Sequence, residues 1–138
     1  MARTPFNRRP DPGSGVARLL ARGLAGARVA VGVALVAAPD VATRRWLGSL
    51  TEDDPGRQVA VRGIGARDVA LGIGALVALR DDAAPRQAAR WLEAGVVADL
   101  ADAGAIAVAD DVDASKTPTL IVALGAAALG LVLRTRLR

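Results

Sequence analysis

The 138-residue chain contains no cysteine and no histidine. Their absence removes disulfides, thiolate nucleophiles, Cys/His zinc sites and His-ligated haem. It also removes the usual general base near neutral pH, so no enzymatic activity is expected. Aromatic residues are almost missing: Phe6, Trp46 and Trp91 make up 2% of the chain. A soluble core of this size ordinarily uses several aromatics as filling. Lysine is reduced to Lys116 against 17 arginines. Such a bias follows GC-rich coding, so the placement of Arg, Ala and Gly carries more information than their number.

What is present is apolar. Hydrophobic residues reach 52% beside 23% charged residues, and the mean hydropathy is +0.32. The net charge is +4, but the basic residues form no single stripe, so nucleic acid is not an expected partner. The first 15 residues, "MARTPFNRRPDPGSG", are polar and rich in Pro and Gly. They lack the apolar core and cleavage site of a secretory signal, and read as a disordered cytoplasmic tail, 1–15.

Residues 16–138 then read as one transmembrane domain. Four apolar segments lie at about 16–38, 58–79, 87–109 and 118–133, each near the length that crosses a ~30 Å hydrocarbon layer at ~1.5 Å per residue. Turn and breaker residues separate them. Pro39 ends the first segment, Asp54-Pro55-Gly56 precedes the second, and Thr117-Pro118 reads as an N-cap followed by Pro at the first helical position. Asp40 is placed to cap a short piece over 41–50 that carries Arg44, Arg45 and Trp46 and suits the membrane interface. No segment alternates with period two, so strands are not expected. The fold class is therefore all-α, an integral membrane four-helix bundle. The competing reading is a soluble Ala-rich bundle, since charges interrupt three of the four segments.

Basic residues set the orientation. Arg3, Arg8, Arg9, Arg18, Arg22, Arg80, Arg86, Arg90, Arg134, Arg136 and Arg138 fall on one side. Arg44, Arg45, Arg57, Arg62 and Lys116 fall on the other. The positive-inside rule puts both termini in the cytoplasm of a multi-pass cell-membrane protein. The lipid bilayer is the expected partner, together with a further membrane protein or a second copy of the chain.

Charges inside the segments are the candidate site. On a helical wheel of the second segment, Val69, Ile73, Leu76 and Val77 share one arc. Gly63, Arg67, Asp68, Ala70, Gly74 and Ala75 lie on the opposite, wider arc, with Leu71 among them, so the charges sit on the small-residue face, where a neighbouring helix approaches closely. Arg28, Arg67, Asp68 and Asp99 fall near the middle of their segments, and Asp102 lies on the same face as Asp99 at i+3. A buried cluster of Arg28, Arg67, Asp68, Asp99 and Asp102 is expected, with Gly65, Gly72, Gly74 and Gly95 as helix-packing positions. Adjacent residues on a helix point about 100° apart, so the expected pairs cross helices: Arg67–Asp99 and Arg28–Asp68, with Asp102 on one of the arginines. Glu93 is expected to pair with Arg90 or reach the surface, and Arg62 to reach the outer surface.

Three roles fit such a cluster. It fixes helix packing in a structural or accessory protein, it serves a small transporter or a ligand- or ion-binding protein, or, least in keeping with the missing nucleophiles and bases, it belongs to a membrane enzyme. A cavity beside Arg67 and Asp99 would mark the second role, and a dry, fully paired cluster the first. No cofactor and no metal site is expected. Asp99 and Asp102 alone are thin ligation for a hard cation, and "GIGARD" lacks the third glycine and preceding strand of a dinucleotide loop.

The stretch Gly65-x-Arg67-Asp68-x-x-Leu71-Gly72, with "GVALVAAPD" followed by "RRWLG" and two aspartates three apart in the third segment, resembles a group of small uncharacterised bacterial membrane proteins of about four helices, a domain of unknown function. The resemblance spans roughly 22–133. It implies four membrane helices and brings no activity, substrate or cofactor.

Overall fold

The computed structural model describes residues 12–47, 54–81, 85–109 and 116–137. These residues form five helices and no strand: α1 (Pro12–Ala37), α2 (Pro39–Leu47), α3 (Pro55–Ala78), α4 (Pro85–Val108) and α5 (Lys116–Arg136). Four of the five open on proline, whose fixed φ and missing N–H cost nothing in the first turn. This explains why the helices begin earlier than the apolar pattern suggests. α1 starts at Pro12, inside the stretch assigned to the tail, of which 1–11 lie outside the described residues. The short helix starts at Pro39 instead of following an Asp40 cap, and the end of the 41–50 piece falls outside the described residues. α5 takes Thr117 and Pro118 into its first turn. Asp54 caps α3, its side chain accepting from the N–H groups of Gly56 at 2.9 Å and Arg57 at 3.2 Å.

The long helices run alternately up and down. α1 packs most extensively on α3 and α4 on α5, while α3 and α4 touch over a thinner seam. The α1–α3 contact is backbone on backbone. A Cβ at Gly32 would lie 2.6 Å from the Gly65 carbonyl oxygen, and one at Gly65 the same distance from that of Gly32. At Gly72 it would meet Val29 Cγ2 at 2.6 Å and the Ala25 oxygen at 2.7 Å. Only glycine allows two helices to approach this closely.

The distribution of side chains is inside out for a water-soluble protein. Most buried apolar residues are alanines, among them Ala21, Ala75, Ala88, Ala98 and Ala127, whereas Leu19, Val59, Val97, Val108, Ile121 and Val132 are exposed. Two helical stretches, Gly15–Ala37 and Lys116–Arg136, are long and apolar enough to cross a membrane. α3 and α4 are not among them, because Arg62, Arg67 and Asp68 interrupt one and Arg90, Glu93, Asp99 and Asp102 the other.

The two ends of the bundle differ. Where α1 and α4 begin and α3 and α5 end, Ala17, Ala21, Ala78, Leu79, Ala88, Leu92, Leu133 and Leu137 form one core, with Leu24 and Trp91 against it. Arg22 donates to the Leu79 carbonyl at 2.9 Å and Arg18 to that of Asp81 at 3.3 Å, satisfying carbonyls that the end of α3 leaves open. Arg134 pairs with Glu93 at 3.1 Å. The sequence points to Arg90 for Glu93; the antiparallel α4–α5 packing sets Arg134 beside it. This is the closed end.

Candidate functional site

The five charged residues read from the sequence meet in one layer near mid-height. α1 contributes Arg28, α3 the neighbours Arg67 and Asp68, and α4 Asp99 and Asp102. Arg28 is the bridge, donating from Nη1 to Asp68 Oδ1 at 3.0 Å and from Nη2 to Asp99 Oδ2 at 2.6 Å. Arg67 grips Asp102 with two bonds, Nη1 to Oδ1 at 3.0 Å and Nη2 to Oδ2 at 2.6 Å. This fork matches the planar carboxylate and is the strongest geometry available to the pair. Both bonded arginines therefore tie the α1–α3 pair to α4.

The pairing differs from expectation in two ways. Arg67 bonds Asp102, not Asp99, because Asp99 is already held by Arg28. Arg67 Nη2 also reaches its own neighbour, Asp68 Oδ1, at 3.3 Å. The long guanidinium stem folds back over the turn and spans the angle that separates adjacent Cβ atoms. Arg28–Asp68 forms as expected. Arg62 is exposed. Its Nε donates to the Val36 carbonyl at 3.3 Å and its Nη1 to Gln58 at 3.4 Å.

Four glycines shape the layer and its neighbourhood. Gly65 and Gly72 sit on the α1–α3 seam described above. Gly95 leaves room for Arg28, whose Nη2 would stand 3.3 Å from a Cβ there. Gly74 lies under the ring of Trp91, which a Cβ would meet at 2.6 Å. The small-residue arc of α3 is therefore two contact faces, one against α1 and one against α4. Gly63 and Ala70, placed on that arc by the wheel, point outward: Gly63 has nothing near its Cβ position and both are exposed.

The layer separates two unlike spaces. Towards the closed end, Arg28, Gly72, Trp91, Leu92 and Gly130 surround a void of only about 10 Å³. Towards the other end, a cavity of about 270 Å³ opens between the helix pairs. Its walls are apolar, with Leu35, Val61, Ile64, Ile106 and Val122 around it and Ala105, Ala123 and Ala126 making the room. Asp68, Asp99 and Asp102 line it on the layer side, and Thr43 and Thr119 are the other polar side chains there among the described residues. Neither Arg28 nor Arg67 lines it.

Charge and hydrogen bonding in the layer are unequal. Two guanidinium groups face three carboxylates. Asp99 is 8% exposed. Among the described residues, Asp68 Oδ2 and Asp99 Oδ1 receive no hydrogen bond, whereas both oxygens of Asp102 are taken. One buried donor, Arg67 Nε, is also without a partner among the described residues. No group of His, Cys, Asp and Glu among the described residues is arranged to hold a metal ion.

Neither the place nor the size of the cavity is legible in the sequence. Its lining comes from five helices, and the alanines that create the space look, in sequence, like those that fill the closed end. Thr43 gives no outward sign either, since its hydroxyl is spent on the Pro39 carbonyl at 2.7 Å. No protein-family model, curated protein or solved structure matches the chain.

Proposed function

We propose that the chain is an integral membrane protein whose four long helices span the bilayer, with both termini in the cytoplasm, and that it binds a small ligand in the cavity above the charge layer. The membrane reading is supported by the inversion of side chains, small within and branched without, which suits packing in lipid and exposes too much apolar surface for water. The closed end then lies on the cytoplasmic side, where arginines are frequent, and the cavity on the other. The resemblance to small four-helix bacterial membrane proteins supports the same arrangement.

The single observation that carries the ligand reading is the cavity of about 270 Å³ with Asp68, Asp99 and Asp102 in its lining. A cluster serving only to fix packing would be expected to close around its charges. Intramembrane ionisable groups beside open space instead mark a substrate or ion site. The second reading, a structural or accessory subunit, draws on the bridging of α1, α3 and α4 by Arg28 and Arg67. The two are compatible, because the same bonds that tie the helices also fix the carboxylates. Catalysis forms no part of the reading.

The chain has no cysteine of its own, which makes the test direct. In intact cells, Ala123→Cys is expected to react with a small membrane-impermeant thiol reagent added outside, and Ala88→Cys, in the closed core, to stay unreacted. Equal protection of both cysteines would contradict an outward-facing ligand cavity.

A further inference from the structure

The cavity has a chemical sign, and its sign selects a ligand. We propose that its occupant is a small protonated amine with an apolar body, its ammonium group seated on Asp68 and Asp99; this rests on the cavity being a ligand site.

Three observations converge on that class. First, among the described residues every charged side chain lining the cavity is a carboxylate, and the guanidinium groups of Arg28 and Arg67 lie outside the lining. The layer as a whole carries three acids against two bases, so one positive charge balances it. Anions are disfavoured, because the unmet Arg67 Nε belongs to a residue outside the lining. Second, two carboxylate oxygens of lining residues are unmet acceptors, Asp68 Oδ2 and Asp99 Oδ1. They call for N–H donors. A quaternary ammonium has none, and its usual recognition by aromatic rings has no counterpart among the described lining residues, none of which is aromatic. Third, the walls are aliphatic and the volume is near the lower end of the ~300–1,000 Å³ typical of ligand pockets. A bare inorganic cation would leave that apolar space unused and would find few oxygen ligands.

The occupant's charge is fixed by one end and its body by the other. In a site of low dielectric, an ammonium–carboxylate hydrogen bond is both strong and directional. Neutral isosteres lose that bond and leave the carboxylate oxygens unmet, so they are rejected by more than their lost charge alone.

The test uses the full-length protein in nanodiscs of zwitterionic lipid, titrated with n-hexylamine, n-hexanol, hexanoate and hexyltrimethylammonium, and read by calorimetry and by the shift in unfolding temperature. Hexylamine, as its cation, is expected to bind roughly tenfold or more tightly than the other three probes. Asp99→Asn should weaken it by about tenfold or more. Ala123→Phe, which fills the cavity and leaves the charge layer untouched, should abolish it, and guards against an Asp99 variant that fails to fold. Equal binding of hexanol and hexylamine, with both lost in Ala123→Phe, would overturn the amine assignment and leave the ligand cavity standing. Tighter binding of hexanoate or of the quaternary probe would do the same. Failure of all four probes, or binding unaffected by Ala123→Phe, would overturn both the amine and the cavity as a ligand site.

Discussion

The same four helices are closed at one end and open at the other, and the composition of the two ends hardly differs. Alanine and glycine abound in both. At the closed end they let backbones meet, and Leu79, Leu92, Leu133 and Leu137 fill what remains, leaving a void of about 10 Å³. At the open end Ala105, Ala123 and Ala126 line the α4–α5 side of the space, and about 270 Å³ is left. Small residues are thus not a packing device in themselves. Whether they close a contact or open a space depends on what stands opposite.

The charge layer divides the two regions, and breaking it should have the largest effect. Arg28 holds Asp99 by itself and shares Asp68 with Arg67. Arg28→Leu would strand Asp99 and leave Asp68 only its 3.3 Å contact with Arg67, and a buried charge deprived of its partner costs ~3–5 kcal/mol. The loss, measured as unfolding free energy in detergent, is expected to exceed that of Arg67→Leu, whose side chain is the more exposed at 33% against 11%. The reverse ranking would show that Arg28 is not the bridge.

Next come the glycines that hold α1 on α3. Gly32→Leu drives a side chain into the backbone of α3, with the Gly65 oxygen only 2.6 Å from the first added carbon. Overpacking ordinarily costs ~1–3 kcal/mol, and backbone that cannot move aside puts this site at the upper end. Gly74→Leu meets the Trp91 ring instead and should cost somewhat less. Ile73→Leu, on the exposed face, should be nearly silent. Equal unfolding temperatures for Gly32→Leu and Ile73→Leu would reverse the assignment of the faces.

A finer measure is the coupling inside the layer. A double-mutant cycle on Arg67→Leu and Asp102→Leu is expected to give a coupling of ~0.5–3 kcal/mol, as for residues in direct contact. The same cycle on Arg67 and Asp99, which do not bond, should give less. Simple additivity for Arg67 and Asp102 would contradict the forked pair.

Much of this architecture is legible in the sequence. Prolines and the Asp-Pro-Gly turn mark the helices, and the depth of Arg28, Arg67, Asp68 and Asp99 along their segments announces a common layer. Depth alone, however, does not decide partners. Asp99 and Asp102 sit one turn apart on one face, and whichever guanidinium is nearer in rotation takes each. Arg28 approaches past Gly95 and takes Asp99, leaving Asp102 to Arg67. A wheel likewise separates small from branched residues but not one neighbour from two, which is why it sets Gly63 and Ala70 on one arc with Gly74 and Ala75. The cavity is the least legible feature, because empty space between five helices is a property of their relative placement and leaves no residue of its own in the chain.

The division into a closed and an open end is tested most directly by one matched pair of substitutions, the same enlargement made on either side of the layer. Ala88 is 1% exposed in the closed core, whereas Ala123 lines the cavity. Ala88→Leu is expected to lower the unfolding free energy by ~1–3 kcal/mol, and Ala123→Leu to leave it unchanged or raise it by filling space. Equal losses at the two sites would mean that the far end is packed as tightly as the near one and that no cavity stands above the carboxylates.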